Sequence, residues 1–251
     1  MSDAVRAAVE DTTAQYRKLY IEANRTEWEA ATTGTPEALD AAAQANAALM
    51  RFWADPDAYE RYRAWDEDGA AADDPLLART VHLLHFGYAR GQRDPATIDE
   101  MAELSKTLTD AYTNFRAEVN GERLTANAIH TILADETGSE RRRAAWEASK
   151  EIGPLVADQI RRLAELRNDG ARRMGYDNYH RMSLTLSELD PDWLYALLED
   201  LAQQIEEPFR AAKAAMDAGS GEWLRGARGG LVPWCSGYPF FWDARRVGAM
   251  A

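Results

Sequence analysis

Prolines that directly follow an aspartate or a threonine limit most strongly how this chain can fold. The pairs are Thr35-Pro36, Asp55-Pro56, Asp74-Pro75, Asp94-Pro95 and Asp190-Pro191. A proline in the first helical turn loses no hydrogen bond, because the N–H groups there have no partner within the helix. The preceding side chain accepts hydrogen bonds from those N–H groups as an N-cap. Each pair therefore predicts the beginning of a helix.

The residues between these pairs favour helices throughout, since Ala, Leu, Glu and Arg dominate them. Apolar residues also recur at intervals of three and four, which predicts one buried face on each helix. The expected fold class is all-α. The predicted helices cover residues 3–32, 36–54, 56–67, 75–90, 95–118, 126–136, 140–173, 177–187 and 191–218. A bend is expected at Gly153-Pro154 and a short hairpin at Asn120-Gly121.

The last part of the chain differs in composition. Seven glycines occur after residue 217 together with Trp223, Trp234, Trp242 and the single cysteine, Cys235. Glycine at this density does not sustain a helix. The sequence therefore predicts a helical domain over residues 1–217 and an irregular tail over 218–251.

The charge of the chain argues against two classes of partner. It has 29 Lys and Arg against 42 Asp and Glu, a formal net charge of −13, whereas nucleic-acid and anionic-lipid surfaces require clustered cations. No run of apolar residues is long enough to span a membrane. One cysteine cannot form an internal disulfide, and the polar first residues do not resemble a signal peptide. We therefore expect no nucleic acid or membrane partner, and a cytoplasmic location.

Residue patterns typical of catalysis are absent from the sequence. There is no His-Glu-x-x-His, Gly-x-Ser-x-Gly or Gly-x-x-x-x-Gly-Lys. The histidines are His82, His85, His130 and His180, and none is followed directly by glutamate. We therefore predict no catalytic, cofactor-binding or metal-binding residues in this chain.

Two of the histidines leave one alternative open. His82 and His85 are three residues apart on a predicted helix, and two imidazoles at that spacing can share a metal with ligands from elsewhere. Such a site would make the chain an unrelated helical enzyme. The alternative is a pair of ordinary helix histidines, and we favour it because the sequence shows no second group of ligands.

Residues 140–184 contain motifs in an order that matches a known family. These motifs are an arginine-rich start, Trp-Glu-Ala, Gly-Pro, Arg-Asn, Ala-Arg and Gly-Tyr followed by an aromatic residue. They correspond to Arg141 to Arg143, Trp146 to Ala148, Gly153-Pro154, Arg167-Asn168, Ala171-Arg172, Gly175-Tyr176 and Tyr179. The segment resembles zinc metallopeptidases of the angiotensin-converting-enzyme-like and thimet oligopeptidase-like (oligoendopeptidase) group. The similarity extends over roughly residues 10–216.

The resemblance implies the helical N-terminal half of a gluzincin-type peptidase, which forms a lid and one wall of the substrate channel. In such enzymes zinc and its His-Glu-x-x-His helix lie in the later half, and the activity is hydrolysis of peptides. The segment 231–241 is similar to the family's Leu-x-Pro-Trp and Pro-Phe-Phe motifs. We therefore expect a truncated or frame-altered chain that is inactive alone, holds no cofactor itself, and belongs to a zinc-dependent parent acting on peptides.

A second interpretation of the same sequence is a free-standing helical binding or interaction protein. A channel wall without its opposite half exposes apolar surface, which tends to find a partner. This interpretation predicts self-association through that surface.

Overall fold

The computed structural model describes residues 2–219 and 232–235, and helices dominate it. The prediction of an all-α fold is confirmed. The helices are α1 (Ser2–Thr33), α2 (Pro36–Trp53), α3 (Pro56–Glu67), α4 (Pro75–Gly91), α5 (Pro95–Asn114), α6 (Ala126–Asp135), α7 (Ser139–Ser149), α8 (Ile152–Arg173), α9 (Tyr179–Thr185) and α10 (Pro191–Gly219). A hairpin of β1 (Ala117–Val119) and β2 (Glu122–Leu124) and a 3-10 helix (Pro233–Cys235) complete the described elements.

The Asp-Pro and Thr-Pro pairs start helices as predicted. The Asp55 side chain accepts hydrogen bonds from the N–H groups of Asp57 and Ala58 at 2.9 and 3.1 Å. Asp74 and Thr35 cap α4 and α2 in the same way. The local rule of an N-cap followed by proline therefore explains where these helices begin.

The structure ends one predicted helix early and divides another, and the helix expected over 177–187 covers only Tyr179–Thr185. The helix expected over 95–118 ends at Asn114, because the chain then enters the antiparallel hairpin, in which Ala117 pairs with Leu124. The helix expected over 140–173 is divided into α7 and α8 rather than bent. Pro154 lies in the first turn of α8, where its missing N–H costs nothing, so the break precedes it.

The chain separates into two compact units. The first comprises Met1–Thr113 and Asp158–Asp192, and the second comprises Asn114–Ala157 and Trp193–Ala251. The predicted boundary between residues 217 and 218 remains a prediction. In the first unit α1 packs on α2, and α3 packs on α4. Its largest core cluster includes Val5, Val9, Tyr62, Val81 and Tyr88.

The contact between α2 and α4 depends on two glycines. A side chain at Gly91 would overlap the backbone carbonyl group of Trp53, and one at Gly87 would overlap the Trp53 indole ring. The Trp53 ring also contacts Tyr88, with centroids 5.1 Å apart. The two helices can therefore approach this closely only because α4 lacks side chains at both positions.

The second unit has its own core around α6, α7 and the hairpin. Ile129, Leu133 and Ala145 are buried there. The guanidinium of Arg142 is fully buried, and its Nε donates to the carbonyl oxygen of Trp234 at 2.9 Å. The Trp234 indole N–H donates to Ser139 at 3.1 Å. The segment 232–235 of the predicted tail is thus anchored to this core, and the rest of 220–251 lies outside the described residues.

Helix α10 contrasts with this core because its side chains are exposed over almost its whole length. The apolar residues along it recur at intervals of three and four. We call them the α10 face: Trp193, Leu197, Leu198, Leu201, Ile205 and Phe209. Exposed fractions reach 57% at Trp193 and 66% at Phe209. A row of apolar side chains along one side of a helix is typical of a surface that packs against other protein.

Candidate functional site

One carboxylate contacts both histidines that the sequence singled out. His82 and His85 lie on α4, and Asp66 lies in the last turn of α3. The Nδ1 atom of His85 is 2.8 Å from Asp66 Oδ2, and the Nδ1 of His82 is 2.9 Å from the same oxygen. The structure therefore brings the two imidazoles together on a single acceptor.

A second carboxylate, Glu188, approaches His82 from the end of α9. Its Oε1 atom is 3.3 Å from His82 Nε2, and both of its oxygens accept hydrogen bonds from the Arg79 guanidinium. The Arg79 hydrogen bond lowers the pKa of Glu188, so this group is a carboxylate at neutral pH.

The backbone at Glu188 is unusual for a residue with a side chain. Its φ is +59°, in the left-handed region that glycine normally occupies after a helix. The N–H of Leu189 donates back to the Leu184 carbonyl at 3.0 Å and closes the helix end. A glycine here would fit the turn equally well but would leave Arg79 and His82 without this carboxylate.

The cluster is partly shielded from water. The side chains of His82 and His85 are 29% and 14% exposed. The Phe86 ring lies 4.2 Å from the His82 ring centroid, and Tyr59 lies 5.8 Å from that of His85. Because an ionised carboxylate only accepts hydrogen bonds, both Nδ1 atoms carry a proton when they bind Asp66. The arrangement therefore orients two imidazoles through hydrogen bonds to one carboxylate.

The hydrogen bonds of the cluster use the Nδ1 atoms of both imidazoles and both oxygens of Glu188. Among residues 2–219 and 232–235 no group of three or more His, Cys, Asp or Glu side chains is arranged to hold a metal ion. The other two histidines lie on different helices, His130 on α6 and His180 on α9. The metal interpretation of His82 and His85 therefore receives no support from their geometry.

Sequence reasoning missed both acidic members of the cluster. Asp66 offered a signal, because an acid in the last turn of a helix faces the negative end of the helix dipole and is expected to have a partner. No comparable signal marked Glu188, since its left-handed backbone is visible only in the folded chain.

Comparison with known proteins gives the class of the chain. The fold is helical, and residues 2–214 match the family Peptidase_M2, described as angiotensin-converting enzyme. The protein is thus related to metallopeptidases. It belongs to the angiotensin-converting enzyme family. No curated protein and no solved structure shows a significant match to it.

The described helices show no candidate for crossing a membrane. Within the part of the chain that the structure covers, no helix is both long and apolar enough to do so.

Proposed function

We propose that this chain forms the helical, substrate-lining part of a zinc-dependent peptidase and that residues outside it catalyse hydrolysis. The observation that supports this proposal is the combination of a family match over residues 2–214 with the absence of His-Glu-x-x-His from all 251 residues. A zinc peptidase of this kind needs two histidines one turn apart on one helix face and a glutamate beside the metal-bound water. The chain alone is then inactive.

Three narrower expectations belong to the same proposal. They are a peptide substrate for the complete enzyme, kinship with the thimet oligopeptidase-like group, and a cytoplasmic location. The motifs in residues 140–184 support the kinship. The net charge of −13 would attract cationic peptides weakly at long range.

The test is a peptidase assay on the purified chain. We expect no cleavage of an internally quenched peptide, with or without added zinc, and no stoichiometric zinc in metal analysis. The matched variant is the double substitution His82→Ala, His85→Ala. It should be as inactive as the unsubstituted chain. Zinc-dependent cleavage that this double variant abolishes would show that the chain has its own metal centre.

A second candidate function, self-association, is favoured by the α10 face. Six large apolar side chains are exposed on one helix, and a contiguous apolar surface of this kind tends to bind protein.

We expect concentration-dependent association of the chain in sedimentation velocity. Leu201→Glu should weaken it about tenfold, because the association would bury a charge. Gln203→Glu adds the same charge on the opposite side of α10 and should leave association unchanged, whereas equal effects of both variants would exclude this face.

A further inference from the structure

A pocket in the first unit has an apolar lining that the proposed function does not use. Its volume is about 600 Å³, within the range of roughly 300–1,000 Å³ that is typical of small-molecule sites. It lies where α2 ends and where α3 and α5 begin, beside the end of α8. Its apolar lining comes from Ala54, Pro56, Pro95, Ile98 and Met174.

Three arginines line the same pocket, and two of them have acidic partners. Arg51 pairs with Asp99, and Arg173 Nη1 is 2.7 Å from Asp94 Oδ2. Arg93 differs, because no carboxylate of the described residues forms an ion pair with it. Of the three arginines at this pocket, Arg93 is thus the one whose charge the described carboxylates leave unneutralised.

The local contacts of Arg93 leave most of its hydrogen-bonding capacity unused. Its Nη1 donates to the Arg90 carbonyl at 3.0 Å, and its Nε is buried without a hydrogen-bond partner. Burial lowers the pKa of Arg93, and the positive charge of Arg167 lowers it further, although Tyr179 opposes this change. Because Nε is enclosed and one Nη1 hydrogen is used, the donors left for a ligand are the second Nη1 hydrogen and those of Nη2.

Packing fixes the position of the Arg93 side chain. A side chain at Gly170 on α8 would lie 3.9 Å from both Cγ and Nε of Arg93, so the arginine stem passes over the helix at this glycine. The linker between α4 and α5 that holds Arg93 is only three residues long, from 92 to 94. The contact with α8 and the short linker thus restrict the Arg93 stem, which reduces the entropy lost on binding.

We propose that this pocket binds a small molecule with one carboxylate and an apolar body, and that Arg93 binds the carboxylate. Arginine pairs with carboxylates through two parallel N–H···O bonds, and such charge-assisted bonds are about twice as strong as neutral ones. The apolar lining accommodates the rest of the ligand. Two sources present this chemistry, a free amphiphilic acid and the C-terminus of a peptide with an apolar last residue.

Calorimetric titration of the purified chain tests this assignment. The probes are 4-phenylbutyrate for a free acid, N-acetyl-leucine for a peptide C-terminus, and the primary amide of each. We expect at least one acid to bind about tenfold more tightly than its amide, because the amide lacks the charge that Arg93 recognises. The acid that shows the larger preference over its own amide indicates whether the natural ligand is a free acid or a peptide C-terminus.

The variant Arg93→Met keeps the apolar stem and removes the charge, so the preference for the acid should disappear. Arg17→Met removes an exposed arginine of α1 and should keep the preference. Circular dichroism establishes that each variant is folded. Should Arg93→Met fail to fold, Arg93→Lys, which keeps the charge but loses the paired donors, is expected to reduce the preference several-fold. Equal binding of acid and amide to the parent chain overturns the proposal, as does an unchanged preference in the folded Arg93 variant.

Discussion

Helices α4 and α10 have similar apolar periodicity and opposite surroundings. Leu84 on α4 is 4% exposed and lies among the core residues of the first unit. Leu201 on α10 is 43% exposed, and its neighbours on the α10 face are exposed as well. Periodicity thus identifies which side of a helix is suited to burial, while the elements packed against that side decide whether it is buried.

The largest effect is expected from Gly91→Ala on α4. The new methyl group would overlap the Trp53 carbonyl group, which is backbone and cannot rotate away. We expect the free energy of unfolding to fall by about 4 kcal/mol, at the upper end for overpacked sites. Urea denaturation followed by circular dichroism measures it.

The control for this change is Gly170→Ala within α8, where the new methyl group meets only ordinary contacts at 3.9 Å. This variant should be neutral or more stable, because alanine favours helices over glycine by about 1 kcal/mol. If the two variants lost stability equally, the close approach of α2 and α4 would not be what requires glycine at position 91.

A matched pair of leucine truncations compares the two helices directly. Leu84→Ala should cost about 3 kcal/mol, since it removes buried methyl groups and leaves a cavity. Leu201→Ala should change stability by less than about 0.5 kcal/mol, as is usual for exposed positions. Chemical denaturation of both variants checks the difference. Similar losses would mean that α10 is covered in solution and would favour the association proposed for the α10 face.

A smaller effect is expected at Tyr62, which contacts α4 through Tyr88. The Tyr62 hydroxyl is buried and lies 2.8 Å from Thr12 Oγ1 and 3.2 Å from the Ala8 carbonyl oxygen, with which it forms hydrogen bonds. Tyr62→Phe should therefore cost about 1 kcal/mol, the usual worth of one hydrogen bond together with an unsatisfied partner. Tyr112→Phe, at a position that is 72% exposed, serves as the reference and should have no effect.

The same tyrosines predict the smallest effect, which depends on pH. Burial raises the pKa of both Tyr62 and Tyr88 above the ordinary value of 10.0. As the pH rises past about 10 the unfolded chain loses these protons first, so the folded chain binds more protons and stability decreases. Denaturation midpoints should therefore fall as the pH rises past about 10. The fall should be smaller in Tyr62→Phe, and an identical fall would exclude Tyr62 as a contributor.

Local sequence rules predicted most helix beginnings but fewer endings. Asp55 and Asp74 cap their helices with their own side chains, so each signal is contained within a few residues. The end of α5 at Asn114 depends on strand pairing between Ala117 and Leu124, and no helix propensity reports such pairing. The family was recognisable from residues 140–184 because its motifs keep their order along the sequence.

Only half of the candidate site could be predicted, because sequence rules detect residues that are close along the chain and not those that the fold brings together. His82 and His85 are neighbours in sequence, whereas Asp66 and Glu188 reach them through the packing of α3 and α9 beside α4. The sequence also could not show that Arg93 lacks a carboxylate partner among the described residues, because this depends on which carboxylates the fold brings near it. Sequence periodicity could not show that the α10 face is exposed either.

The close approach at Gly91 also constrains how this family of sequences can diverge. A relative with a larger residue at the equivalent position must end its second helix differently, because the Trp53 carbonyl occupies the space of the new side chain. The two positions are 38 residues apart along the chain and should change together across the family. An alignment in which the glycine varies while the end of the second helix stays constant would show that the backbones of such relatives are spaced differently.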